Sequence, residues 1–189
     1  MRRRWLWVAA GALLVAGTAV ALTRGVGFTA RARPWSFEET LMLGARRWAT
    51  PPAIRQQANP VPETAETIRA GLEHWADHCA TCHANDGSGE TAIGRSLYPP
   101  APDMRKARTQ EMSDGELFYA IERGIPFTGM PAWGTATPNG ETSSWQLVRF
   151  IRHLPRLSDQ ELKDMDSLNP MSPANMQHNA EIEQFLSGQ

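Results

Sequence analysis

The 189-residue sequence has only two cysteines, Cys79 and Cys82, so it cannot carry a framework of several disulfide bonds. It also lacks a glycine-rich phosphate loop, a nucleophile elbow and a zinc-protease helix. These absences remove the sequence signatures of phosphate-binding enzymes, serine hydrolases and zinc proteases. No small-molecule substrate is therefore expected, and the chemistry of the protein must lie elsewhere.

Acidic residues are absent before Glu38, whereas six of the 19 basic residues lie in the same N-terminal stretch. From Pro34 onward the chain has 13 basic and 20 acidic residues, so this part carries a net charge of about −7. A surface of this sign is unsuited to nucleic acid and suits a protein partner with a basic docking patch.

The two cysteines occur together in Cys79-Ala80-Thr81-Cys82-His83. This C-x-x-C-H spacing is the attachment signature of a c-type haem, in which both thiols form thioethers and the histidine binds the iron. A zinc site would need further ligands, a redox pair would need a βαβ pattern, and so short a disulfide would be strained. The pattern therefore predicts one covalent haem c, held by Cys79 and Cys82 with His83 as an iron ligand.

Residues 1–23 are predicted to be a membrane anchor. Three arginines precede an apolar run from Trp5 to Leu22, which would form a helix of about 27 Å, close to the thickness of a hydrocarbon core. The arginines predict a single pass through the inner (cytoplasmic) membrane, with the haem domain facing the periplasm or cell exterior. Because Ala19-Val20-Ala21 has the form of a cleavage site, a removed signal peptide is the alternative.

Residues 24–62 are interpreted as a linker with a short amphipathic helix. Between Pro34 and Ala49, apolar residues recur every three or four positions at Phe37, Leu41, Ala45 and Trp48. We expect this stripe to pack on the main domain, with a helix lying on the membrane surface as the alternative.

The haem motif is predicted to end a helix that begins near Glu63, with Thr64 as its N-cap. Gly71 and Trp75 would share a face with Cys79, and a mid-helix glycine is typical of a close helix crossing. With these residues, the chain from Thr64 to Leu154 resembles a class I c-type cytochrome. The resemblance implies an all-α fold with three to four helices around the haem, in which the first helix crosses the last at Gly71.

The same resemblance implies further haem contacts. A proline carbonyl in the loop Leu97–Met104, with Pro99 or Pro100 as candidates, would accept the Nδ1 proton of His83. Met130, in Gly129-Met130-Pro131-Ala132-Trp133, is predicted to be the sixth iron ligand, because a soft thioether suits electron transfer. Trp133 resembles the aromatic residue of the family's loop. Rivals for the sixth position, including Met104, Met112 and His178, are weaker candidates.

The remaining helices are predicted from their caps. Ser113 and Glu116 form a capping box that begins a helix ending at Gly124, and Ser143 with Gln146 is expected to begin the last core helix. Residues 63–155 would thus form the cytochrome domain, and residues 156–189 a helical C-terminal extension. This extension would begin at the Ser158-x-x-Glu161 box and end in a helix from Ser172-Pro173. The arginines near the end of the core domain, Arg149, Arg152 and Arg156, are expected on a solvated face.

Together these features predict an electron-transfer protein, not an enzyme, that carries single electrons while tethered to the membrane. One alternative is a dedicated cytochrome subunit of a membrane dehydrogenase or terminal oxidase complex. Another is a haem sensor or peroxidase-like protein with an open sixth position.

Overall fold

The computed structural model describes residues 2–26, 29–170, 181–182, 184–185 and 187, and these residues are helical or irregular, with no β-strand among them. The predicted all-α class is therefore confirmed. The chain divides into two compact units, Met1–Ala32 and Arg33–Gln189. The helix predicted from Ser172-Pro173 falls largely outside the described residues.

The first unit consists of helix α1, Arg2–Val26. Among the described residues, Arg3–Gly25 is the one helical stretch long and apolar enough to cross a membrane, although a signal sequence near the N-terminus has the same properties. Its large apolar side chains, including Trp5 and Leu13, are exposed.

Among its described helices, the second unit has α2 before the cytochrome-like core and α9 after it. Its helices follow one another in the order α2 Ser36–Ala49, α3 Pro52–Arg55, α4 Ala65–His74, a π-helical turn Trp75–Cys79, α5 Ala80–His83, α6 Ala107–Gln110, α7 Asp114–Arg123, α8 Pro138–His153 and α9 Asp159–Leu168. Short 3-10 turns occupy Gly94–Ser96 and Leu154–Arg156.

Helices α4 and α8 cross at Gly71, as predicted. A Cβ atom on Gly71 would lie 2.4 Å from the carbonyl oxygen of Gln146 and 2.8 Å from Cβ of Phe150. Only a glycine allows so close an approach. The buried core lies around this crossing and includes Leu72, Trp75, Leu117, Trp145, Leu147, Val148, Phe150, Ile151, Leu154 and Met165.

Three helix starts follow the local sequence. The Thr64 hydroxyl accepts a hydrogen bond from the Thr67 amide at the start of α4. Complete capping boxes, at Ser113 with Glu116 and at Ser158 with Glu161, begin α7 and α9. Helix α7 ends at its C-cap, Gly124. This residue has a φ of 67°, a backbone conformation that favours glycine.

The predicted start of the last core helix is wrong. Helix α8 begins at Pro138, with Thr137 as the N-cap whose hydroxyl accepts a hydrogen bond from the Gly140 amide. The expected cap residue Ser143 lies inside the helix, where its hydroxyl donates to the Asn139 carbonyl. Thr137-Pro138 is itself a strong start signal, because proline suits the first helical position.

Of the three arginines expected on a solvated face, Arg156 is exposed as predicted, whereas Arg149 and Arg152, near the end of α8, are partly buried and bonded to neighbouring segments. The guanidinium of Arg152 donates hydrogen bonds to the carboxylate of Asp114 and to the carbonyls of Gln110 and Met112. Arg149 donates to the carbonyl of Val61. These bonds tie α8 to the start of α7 and to the segment before α4.

Helix α2 forms where it was predicted, but the expected packing of its apolar stripe is wrong. The side chains of Phe37, Leu41 and Trp48 are 76%, 57% and 87% exposed. The opposite, charged side of the helix contacts the rest of the unit instead. The hydrophobic pattern identifies a stripe, but it does not say which side of the helix meets the domain.

Candidate functional site

Cys79, Cys82 and His83 lie on one side of a single helical turn. The chain passes from the π-helical turn into α5, and the Ala80 amide donates to the carbonyl of Trp75. Residues three and four positions apart share a face of a helix, so both thiols and the imidazole lie on the same side. Neither cysteine is in a disulfide.

His83 is held against the core by Trp75. The two rings have centroids 5.7 Å apart, and the buried Trp75 indole donates a 3.0 Å hydrogen bond to the carbonyl of Ala84. Nδ1 of His83 is buried and has no hydrogen-bond partner of normal geometry. Burial lowers the pKa of His83 to about 4, against the opposing effect of the nearby Pro102 backbone. The imidazole is therefore neutral near pH 7, which is the form that binds a metal.

The two thiols are also uncharged. Burial raises the pKa of Cys79 to about 12, with Cys82 adding to the shift, and burial also raises the pKa of Cys82. Among the described residues no three His, Cys, Asp or Glu side chains group as a metal site. The pair therefore lacks the additional ligands that a zinc site would need.

Two glycines let neighbouring backbone approach the motif. A Cβ atom on Gly94 would lie 2.2 Å from the carbonyl oxygen of Cys82, and one on Gly89 would lie 2.4 Å from that of Ala101. Gly89 also has a φ of +75°, a conformation that favours glycine. The loop after His83 thus fits tightly between the motif and the proline-rich segment.

The proline-rich segment is fixed by backbone bonds from Ala101 to Gly94 and from Met104 to Gly87. Pro99 and Pro100 are partly buried in this segment. The backbone that acts on the His83 imidazole is that of Pro102, two residues beyond the predicted pair. The sequence shows three prolines in four positions, and only the path of the loop determines which proline backbone comes near His83.

Met130 lies in a tight loop that follows α7. Its carbonyl accepts a hydrogen bond from the Ile125 amide, and its own amide donates to the Thr128 hydroxyl. A Cβ atom on Gly129 would lie 2.6 Å from a methyl carbon of Leu97. The Met130 loop therefore packs against the start of the proline-rich segment.

Trp133 ends this loop beside the helix that carries the motif. Its amide donates to the Ile121 carbonyl at 2.9 Å, and its ring lies 5.5 Å from that of His78 in an edge-to-face arrangement. The side chain is 38% exposed. The loop from Met130 to Trp133 is thus joined both to α7 and to the helix of the haem motif.

The rival methionines have other contacts. The sulfur of Met112 accepts a hydrogen bond from Arg46 at 3.3 Å, and Met104 packs against the hydrophobic core. His178 lies outside the described residues. Of the three methionines compared, Met130 is the one that lies in a separate loop packed against the start of the proline-rich segment.

The site suits a haem better than any other group considered. It offers two thiols outside any disulfide, a neutral imidazole, and two loops that contact each other. Residues 66–151 match the family model described as cytochrome c oxidase, cbb3-type, subunit III. The all-helical fold and this match support a c-type cytochrome.

More particularly, the matched segment is a cytochrome c domain related to that family, and it spans somewhat less than half of the chain. The match supports haem-based electron transfer. The segment agrees with the stretch identified in the sequence, since it includes the haem motif, Met130 and most of α8.

Proposed function

We propose that the protein is a membrane-anchored carrier of single electrons with one covalently bound haem c. Cys79 and Cys82 would form the two thioethers, and His83 and Met130 the axial ligands. The observation that carries this proposal is the Cys-x-x-Cys-His turn with two free thiols and a neutral imidazole on one side.

The bound haem would supply the one-electron Fe(III)/Fe(II) couple. The protein's own part is to hold His83 in one orientation through Trp75, with the Pro102 carbonyl as the proposed acceptor for Nδ1–H in place of Pro99 or Pro100. Such an acceptor fixes the ring and increases its basicity as a ligand. Met130 would be held by its loop in both oxidation states, so that little rearrangement accompanies electron transfer.

The test is the optical spectrum of the full-length, haem-loaded protein beside Met130→Ala, with Met104→Ala and Met42→Ala as controls. We expect a low-spin wild type that shows the weak far-red band of ferric methionine ligation and ignores carbon monoxide. The band should vanish only in Met130→Ala. A high-spin wild type that binds carbon monoxide would refute the carrier and favour an open haem.

The membrane location rests on α1, which would cross the inner membrane once and leave the cytochrome domain on the periplasmic side. The excess of acidic residues after Pro34 supports a redox partner with a basic docking patch. If so, the rate of electron exchange with a cationic redox protein should fall as salt is added, because screening weakens the attraction. A rate that ignores salt would contradict this docking.

A second candidate is favoured by the family match itself, which is to a subunit of a terminal oxidase. In this case the protein would be a dedicated subunit of such a complex. Purification from mild-detergent membrane extracts distinguishes the two. A stoichiometric oxidase complex would support the subunit, and a single chain would support the independent carrier.

A further inference from the structure

Helix α2 is amphipathic, but its apolar side faces away from the domain and its charged side faces towards it. Its exposed side presents Phe37, Leu41, Gly44, Ala45 and Trp48, which form one apolar stripe along the helix. A surface helix of a globular domain normally turns such a stripe towards the core. Removing the larger of these side chains from water would be favourable. A stripe left outside in this way marks an interaction surface.

The charged side of α2 fixes the helix to the cytochrome domain. The apolar stripe is therefore exposed on a helix whose orientation is set by these contacts. The hydroxyl of Tyr98 donates hydrogen bonds to the Glu38 carboxylate at 2.7 and 2.8 Å, and Glu39 forms an ion pair with Arg108. Arg46 donates to the sulfur of Met112.

Further along the helix, Arg47 lies 3.5 Å from Glu116, a residue of the α7 capping box. Thr50, at the C-cap of α2, is buried. The contacts therefore extend over the whole length of α2, and they fix which of its sides faces away from the domain.

We propose that the apolar side of α2 lies in the interfacial region of the lipid bilayer. This inference rests on the proposed membrane anchor. Residues 27–35 join the end of α1 to the start of α2 and can span at most about 30 Å. A bilayer crossed by α1 is therefore within reach of α2 through the chain itself.

The composition of the stripe and its flanks favours lipid over a protein partner. Trp35 and Trp48 lie at the two ends of the helix, 62% and 87% exposed, and tryptophan is enriched at membrane–water interfaces. Arg31 and Arg33, which precede α2 in the chain, are exposed and would attract anionic headgroups. Aromatic residues on one side with arginines at the margins are typical of helices that lie in the plane of the interface.

The consequence is that α2 separates the cytochrome domain from the bilayer and sets its orientation. Lipid contacts one side of the helix, and the ion pairs on the other side hold the domain. An anchor formed by α1 alone would leave the domain free to rotate about the linker.

The test uses full-length, haem-loaded Leu41→Cys in nanodiscs of phosphatidylcholine and phosphatidylglycerol, with one protein per disc. The matched control is Thr142→Cys, at an exposed position of α8. A membrane-impermeant maleimide should label the control and lose most of its labelling at position 41. Wild type measures the background from the haem cysteines, and Trp48→Cys replaces Leu41→Cys if the haem spectrum of the latter is altered.

A second readout identifies what covers the helix. Lipids with a photoactivatable group in the acyl chain should form adducts with the peptide that contains residues 37–48. A freely labelled thiol in disc-bound protein would overturn the inference and leave the anchor intact. Shielding without lipid adducts would overturn it in favour of a protein contact, and a chain that fails to enter discs would refute the anchor and the inference together.

Discussion

The crossing of α4 and α8 makes Gly71 the position where a single methyl group should be most disruptive. In Gly71→Ala the new Cβ atom would lie 2.4 Å from a backbone carbonyl oxygen and 2.8 Å from Cβ of Phe150. Neither atom is the free end of a flexible side chain. The two helices must therefore move apart for the methyl group to fit.

Two opposing effects set the magnitude. Replacing a glycine inside a helix by alanine gains about 1 kcal/mol of helix propensity. Overpacking a well-filled core costs about 1–3 kcal/mol, and contact with backbone places this site at the upper end. We expect Gly71→Ala to lower the free energy of unfolding by about 1–2 kcal/mol, or the melting temperature by about 2–8 °C.

The assay is thermal unfolding of the full-length, haem-loaded protein in detergent, followed by helical circular dichroism. Gly44→Ala is the matched control, because Gly44 also lies inside a helix and a Cβ atom there would meet nothing within 4 Å. That control should be unchanged or more stable by up to about 1 kcal/mol. If Gly71→Ala proves as stable as Gly44→Ala, α4 and α8 do not approach each other closely at Gly71.

Three further predictions concern local contacts. Ser158→Ala should lower the free energy of unfolding by about 1 kcal/mol through loss of the α9 cap, measured by denaturant unfolding, whereas no change would contradict the capping box. Arg152→Lys should cost about 1–2 kcal/mol in the same assay, since lysine lacks the planar fork that reaches several acceptors. The hydrogen bond from Arg105 lowers the pKa of Asp103 below its ordinary 3.8. The stability that Asp103 contributes is therefore present above that value and lost as the pH falls through its folded-state pKa, so Asp103→Asn should match wild type in strong acid and be less stable at neutral pH.

Features fixed by neighbouring residues could be predicted from the sequence. The caps at Thr64, Ser113 and Ser158 depend on residues within one turn, and the structure confirms all three. The haem motif and Gly71 are equally recognisable in the sequence. Haem attachment requires Cys-x-x-Cys-His, and a close helix crossing requires a glycine on the helix face shared with Trp75 and Cys79. The all-α class and the order of the helices could be predicted from these capping residues and motifs.

Features set by tertiary contacts could not be predicted. The π-helical turn before Ala80 has no local signal, and the approach of the Pro102 backbone to His83 depends on the path of a loop. The reversed orientation of α2 depends on the charges of the domain that it meets. Thr137-Pro138 is different, since its start signal is present in the sequence, next to a competing capping pattern at Ser143 and Gln146.

Trp75 links the core of the protein to the imidazole of His83, the proposed iron ligand. Its ring lies 5.7 Å from both Phe150 and His83, and its indole nitrogen binds the backbone just after the motif. A change in side-chain volume at the helix crossing would therefore be passed on to the plane of the imidazole. On the proposed ligation, the packing of this core and the orientation of the ligand are coupled, so that substitutions at core positions would alter the reduction potential from a distance.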